Sequence, residues 1–184
     1  MITMTYAVHI IHPYTYKLEG DAFVVGPREE THERDTRVAT LVEKALEGGA
    51  QVIHHQNKSS LFLDGILQDA MLQTDPLFDF LNDSKITSVV TPLSGTPLPD
   101  EKPAGCTDEI WRAAQEVYTP HSQFQQELKE RSACILIGGV LEACVSNFAL
   151  YYNQHYRREG ERMFYIPELC VSFNTMTRRE REKA

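Results

Sequence analysis

This sequence has no long apolar run, no excess of basic residues and few cysteines. No stretch approaches the ~20 apolar residues that a membrane-spanning helix needs, so no membrane partner is expected. Lys and Arg total 18 against 26 Asp and Glu, a formal net charge of −8. Phosphate backbones are held by clustered cations, so nucleic acid is not an expected partner either. The opening residues, MITMTYAVHIIHPY, lack a basic segment followed by a long apolar one, and no secretory signal is expected. The four cysteines are Cys106, Cys134, Cys144 and Cys170, and no two form a CxxC pair. Neither a disulfide framework nor a zinc knuckle fits that spacing, and a cytoplasmic, reducing setting is the simplest home. There is no internal repeat and no low-complexity segment. What remains is a chain of 184 residues, enough for one domain with its own core. We expect a single domain over residues 1–176 and a charged, solvated tail over 177–184.

The organising stretch is Ala133–Tyr152, ACILIGGVLEACVSNFALYY. An apolar run, a Gly-Gly pair and then Val145, Phe148 and Tyr152 at helical spacing predict a buried strand over Cys134–Ile137, a tight turn, and a helix over Glu142–Glu159 with Cys144 in its first turn. Ahead of it, Thr5–His12 reads as a central strand stopped by Pro13. Thr31–Gly48 reads as a helix with Val38, Leu41, Val42, Ala45 and Leu46 on one face, and Gln51–His55 as the next strand. Helical pieces are expected over Asp64–Gln73 and Pro76–Leu81, and strands over Ile86–Thr91 and Val117–Thr119. Four of the nine prolines fall in Pro92–Gly105, which reads as a long loop of the kind that often carries function. A helix around Trp111 follows, then one with Thr119 as N-cap and Pro120 as its first residue. Met163–Ile166 reads as the last strand, closed by Pro167. Strands alternating with helices give an α/β three-layer αβα sandwich with a mostly parallel, Rossmann-like sheet.

In such sheets ligands bind at the carboxyl ends of the strands. Cys144 lies just past such an end, in a helix turn whose amides favour a thiolate and can hold an oxyanion. A free cysteine is also a common small core residue. Cys134 and Cys170 lie in strand-like runs and read as structural, while Cys106 lies in the proline-rich loop.

The run Gly138-Gly139-Val140-Leu141-Glu142-Ala143-Cys144-Val145 resembles the signature of isochorismatase-like cysteine hydrolases, which include nicotinamidases and N-carbamoylsarcosine amidohydrolases. Gly138, Glu142, Cys144 and Val145 match without a gap. His121-Ser122-Gln123-Phe124 with Leu128 resembles the family's Ser-x-Phe…Leu helix start. Gly160 with Phe164–Glu168 resembles its returning strand, and Arg37–His55 its first helix and second strand. The resemblance implies a Rossmann-like sheet, a homo-oligomer (dimer or tetramer), a small-molecule substrate and no required cofactor. It also implies a Cys, Asp, Lys triad in which the thiol attacks an amide-like carbon and a thioester is hydrolysed. The oxyanion would be held beside Leu141 and Ala143, and a non-proline cis bond would fall at Val140–Leu141.

Two members of that triad have other residues in their places. Aligning Ala7–Ile11 with the family's first strand puts His12 at the Asp position and Tyr14 at the Gln position that follows it. The interval Val117–His121 has no Lys where the family has one. Two readings follow. In one, His12 is the base for Cys144, His121 supplies auxiliary positive charge, and Tyr14 lines the substrate side. In the other, the fold serves as a small-molecule-binding or assembly module without catalysis. His54-His55 ends the second strand near Asp64, but alternation lets only one of the two histidines face a site, and no metal site is assigned. Lys58 and Glu168 read as solvated, Trp111 as a core or contact anchor, and Tyr151, Tyr152 and Tyr156 as packing.

Overall fold

The computed structural model describes residues 5–13, 16–19, 22–25, 32–56, 80–92 and 94–171. Its elements are β1 (Tyr6–Ile11), β2 (Tyr16–Glu19), β3 (Ala22–Val25), α1 (His32–Glu47), β4 (Gln51–Gln56), β5 (Ile86–Val90), α2 (Asp108–Val117), α3 (His121–Glu127), β6 (Ala133–Val140), α4 (Ser146–His155) and β7 (Arg162–Val171). Five strands form a sheet in the order β5-β4-β1-β6-β7, while β2 and β3 pair separately as an antiparallel ribbon. Every pair in the larger sheet is parallel.

Alternation along the strands sorts the side chains into two layers. Val8, Ile10, Val52 and Ile137 meet Val38, Val42 and Ala45 of α1 on one face. Ile11, Ile53, Val89, Cys134 and Leu136 meet Phe124 of α3 and Phe148 and Tyr152 of α4 on the other. The expected three-layer α/β architecture is therefore present. The chain passes from β1 outward through β4 to β5, then returns to place β6 on the other side of β1. The order reverses between β1 and β6, and the crevice at their carboxyl ends is where such sheets take ligands.

Several local expectations are corrected. Pro167 does not end the last strand, which runs on to Val171. β7 is an edge strand that bulges: Tyr165 to Cys170 spans five steps against two for Leu136 to Gly138 of β6. Edges and bulges are where a strand tolerates proline. The helix after Cys144 stops at His155. Beyond it the chain folds back on Glu161, whose carboxylate accepts from the Arg158 amide at 3.0 Å. Leu141–Val145 is a wide π turn in place of a first α turn. Pro120 is the N-cap of α3 and His121 its first residue, because the Thr119 hydroxyl already accepts from the Val90 amide at 2.9 Å. Val117 closes α2, and the extended residues after it make a single bridge, Leu98 to Pro120, in place of a strand. No peptide bond among the described residues is cis, so the bond expected at Val140–Leu141 is not found. The helices expected over Asp64–Gln73 and Pro76–Leu81 lie outside the described residues, apart from Phe80 and Leu81.

Candidate active site

The Gly-Gly pair that closes β6 has a steric reason. A Cβ on Gly138 would stand 2.2 Å from the Ile11 carbonyl oxygen, and one on Gly139 would stand 2.8 Å from that of His12. Only glycine lets the end of β6 lie this close to the end of β1. His12 itself is the one non-glycine residue at positive φ among the described residues, at 41°. Such a conformation persists where the surroundings enforce it. Here the His12 amide donates to the His55 carbonyl at 3.2 Å, and Gly139 packs against the other side.

The His12 ring is fully buried. Its Nε2 pairs with Thr91 Oγ1 at 2.9 Å, and its Nδ1 has no hydrogen-bond partner. Burial, with His54 adding a smaller effect, lowers its pKa to about 3. At neutral pH the ring is therefore uncharged, with a lone pair on one of its two nitrogens.

Cys144 sits in the π turn, 6 % exposed, in one cluster with Ile11, Val145 and Phe148. Its carbonyl supports the turn after β5: a Cβ on Gly95, at φ 78°, would stand 2.8 Å from the Cys144 oxygen and 3.2 Å from Ile11 Cγ2. Cys134 and Cys170 are structural by comparison. Burial pushes their thiols up to about 12 and about 11, the latter despite a bond from the Gly138 amide.

The other assigned residues fall as follows. His121 starts α3, where Nδ1 lies 2.9 Å from the Tyr151 hydroxyl and 2.7 Å from that of Tyr156, with its ring stacked on Tyr156. These contacts tie His121 to α4 and its cap. The backbone of Leu141 and Ala143 belongs to the same π turn as Cys144. Tyr14, Lys58 and Asp64 lie outside the described residues. Glu168 is exposed, and Trp111 packs with Leu98, Ala114 and Tyr118.

Sequence reasoning missed several residues. Thr91 gives no signal in sequence, since nothing in one chain says that the end of β5 reaches the end of β1. His9 was missed as the partner of His55: the two rings meet Nδ1 to Nε2 at 3.0 Å, tilted by 46°, against Phe124 and Phe148. Burial lowers the pKa of His9 to about 3, and Arg131 adds to it. Burial also holds His55 well below the usual range, opposed by the Gly95 main chain. Arg34, on the first turn of α1, brings a guanidinium to the same rim, donating to the Pro13 carbonyl at 3.1 Å and pairing with buried Asp35. No group of three or more His, Cys, Asp or Glu among the described residues could hold a metal ion. No helix among them is long and apolar enough to cross a membrane.

No known family profile matches the sequence. No curated protein matches it either. Solved structures do match its fold. An isochorismatase from Pseudomonas putida superposes at a TM-score of 0.55 with 13 % identity, over 90 % of this chain and 70 % of that one. N-carbamoylsarcosine amidase from Thermoplasma acidophilum does so at 0.52 with 12 % identity, over 91 % and 84 %. Nicotinamidase from Bacillus subtilis does so at 0.51 with 13 % identity, over 96 % and 92 %. The fold implied by the resemblance around Cys144 is the fold these structures share.

Proposed function

We propose that this chain is a divergent member of the isochorismatase-like cysteine hydrolases, cleaving a small amide-like C–N bond with Cys144 as nucleophile and His12 as base. The observation that carries this reading is the convergence at the carboxyl ends of β1 and β6. There, two glycines that no other residue could replace without a clash hold a buried, neutral imidazole at the switch point, next to the strand that leads into the thiol turn. In the reaction the Cys144 proton passes to His12 Nδ1 as sulfur bonds to the carbonyl carbon. The C–N bond then breaks, the amine leaves with that proton, and water hydrolyses the thioester. Burial holds the His12 imidazole well below the usual range, so full transfer to it ahead of attack is uphill. Transfer is therefore concerted with attack and does not form a resting ion pair. The amides of the turn that holds Leu141 and Ala143 are placed for the oxyanion. His121 contributes through the residues it contacts, Tyr151 and Tyr156.

A second reading, a binding module without chemistry, is favoured by the apolar packing of Cys144 among Ile11, Val145 and Phe148. Peptide-resolved alkylation with iodoacetamide across pH separates the two. An active thiol labels at neutral pH at least about tenfold faster than Cys134 and Cys170, and slows in His12→Gln. Labelling of Cys144 only near ~8.5 would sink the hydrolase reading.

A further inference from the structure

The turn after β5 touches both members of the dyad. At its start, Thr91 is fully buried and its amide is fixed by the Gln56 carbonyl at 2.8 Å. Its hydroxyl meets His12 Nε2. At its end, Gly95 donates to the Pro92 carbonyl at 2.8 Å, and the Cys144 carbonyl lies against it. One short segment thus fixes the ring on one side and the thiol turn on the other.

A neutral imidazole carries its single proton on one nitrogen, and the partner of the other nitrogen decides which. Were the Thr91 hydroxyl to donate to Nε2, the ring proton would sit on Nδ1 as a buried N–H with no acceptor, which is rare and costly. Were Nε2–H to donate to Thr91, Nδ1 would keep a lone pair. The hydroxyl hydrogen could then rotate about Cβ–Oγ1 to another acceptor, as a ring N–H cannot. We propose that Thr91 is a positioning residue that accepts from His12 Nε2–H, so that Nδ1 is the basic nitrogen offered to Cys144. The role given to Nδ1 rests on the hydrolase reading above. The tautomer does not.

The test is nitrogen-15 NMR of the imidazole rings in the whole protein, with the His12 signals assigned by their loss in His12→Gln. The wild type shows the proton on Nε2, and Thr91→Ser keeps it there. Thr91→Val shifts the ring toward the other tautomer and slows Cys144 alkylation at neutral pH by about tenfold or more, while Thr91→Ser stays within about twofold. A wild-type ring protonated on Nδ1 overturns the proposal even if Thr91→Val fails to fold. A folded Thr91→Val with unchanged tautomer and labelling overturns it as well. If the wild-type thiol proves unreactive while the proton is found on Nε2, the hydrolase reading falls and the positioning of His12 by Thr91 stands.

Discussion

The two ends of the parallel sheet are built to opposite rules. At the amino end, Arg131 just before β6 and Glu161 just before β7 form a buried ion pair at 2.9 Å, with side chains 2 % and 0 % exposed. Glu161 also accepts from the Tyr152 hydroxyl at 2.6 Å and from the Arg158 amide at 3.0 Å. Arg131 donates to the Lys129 carbonyl at 2.7 Å and lies over the Tyr152 ring. At the carboxyl end, beside the Arg34–Asp35 pair, the buried groups include uncharged imidazoles, and His12 and His55 each keep an Nδ1 without a partner. A buried charge must be paired or it costs several kcal/mol. A buried neutral imidazole costs less and stays available. The amino end therefore uses its polar groups to hold strands together, while the carboxyl end leaves capacity for a ligand or a proton.

Acid should break the carboxyl end first, and this is the largest effect expected. His9 and His12 are lowered to about 3 and His54 to about 4, chiefly by burial. The folded pKa lies below the unfolded one, so the unfolded chain binds more protons between those values and ~6.5. Stability is flat above that window and falls as pH drops through it. At pH 4.5 three such groups together cost about 8 kcal/mol, comparable with the whole stability of a typical domain. Denaturant titrations at stepped pH should therefore show a steep loss below pH ~6, shallower by about one proton in His54→Gln. A flat stability from pH 7 to 4.5 would mean that these rings are charged or solvated in the folded state.

Breaking the amino end should come next. Glu161→Ala leaves Arg131 charged and buried, and should cost about 3–5 kcal/mol in chemical denaturation. Replacing both residues, as in Arg131→Met with Glu161→Met, should recover much of that loss, because the penalty comes from the unpaired charge. Equal losses in the single and double variants would show that the pair contributes through packing alone.

The sheet was legible in the sequence because its signals are local. Apolar runs at Tyr6–Ile11, Gln51–Gln56 and Ile86–Val90, with a helix at His32–Glu47 whose Val38 and Val42 share a face, suffice to specify a parallel α/β order. The strand end and turn that lead to Cys144 were legible for the same reason, since Gly138 to Val145 is one contiguous segment. The two charged residues of the amino end were not, because Arg131 and Glu161 are thirty positions apart and each alone reads as a solvated side chain. The partner of His12 was hidden in the same way, since 79 residues separate it from Thr91. The surroundings of His121 were hidden too, because first-turn position says where a helix starts, not what packs over it. Three aromatic or imidazole side chains of α4 and its cap, Tyr151, His155 and Tyr156, surround it.

The smallest effect expected is the one that tests the comparison most directly. Cys144→Ala removes one buried sulfur from the carboxyl end and introduces no charge. Free cysteine packs as a small hydrophobe, so the change should cost about 1 kcal/mol and move the thermal midpoint by only a few degrees in a chain of this size. It should leave the acid limb unchanged, since the histidines that set it are untouched. A loss as large as that of Glu161→Ala would place Cys144 among the residues that hold the fold. The apolar cluster around it would then be its purpose, and the two ends of the sheet would differ in chemistry without differing in role.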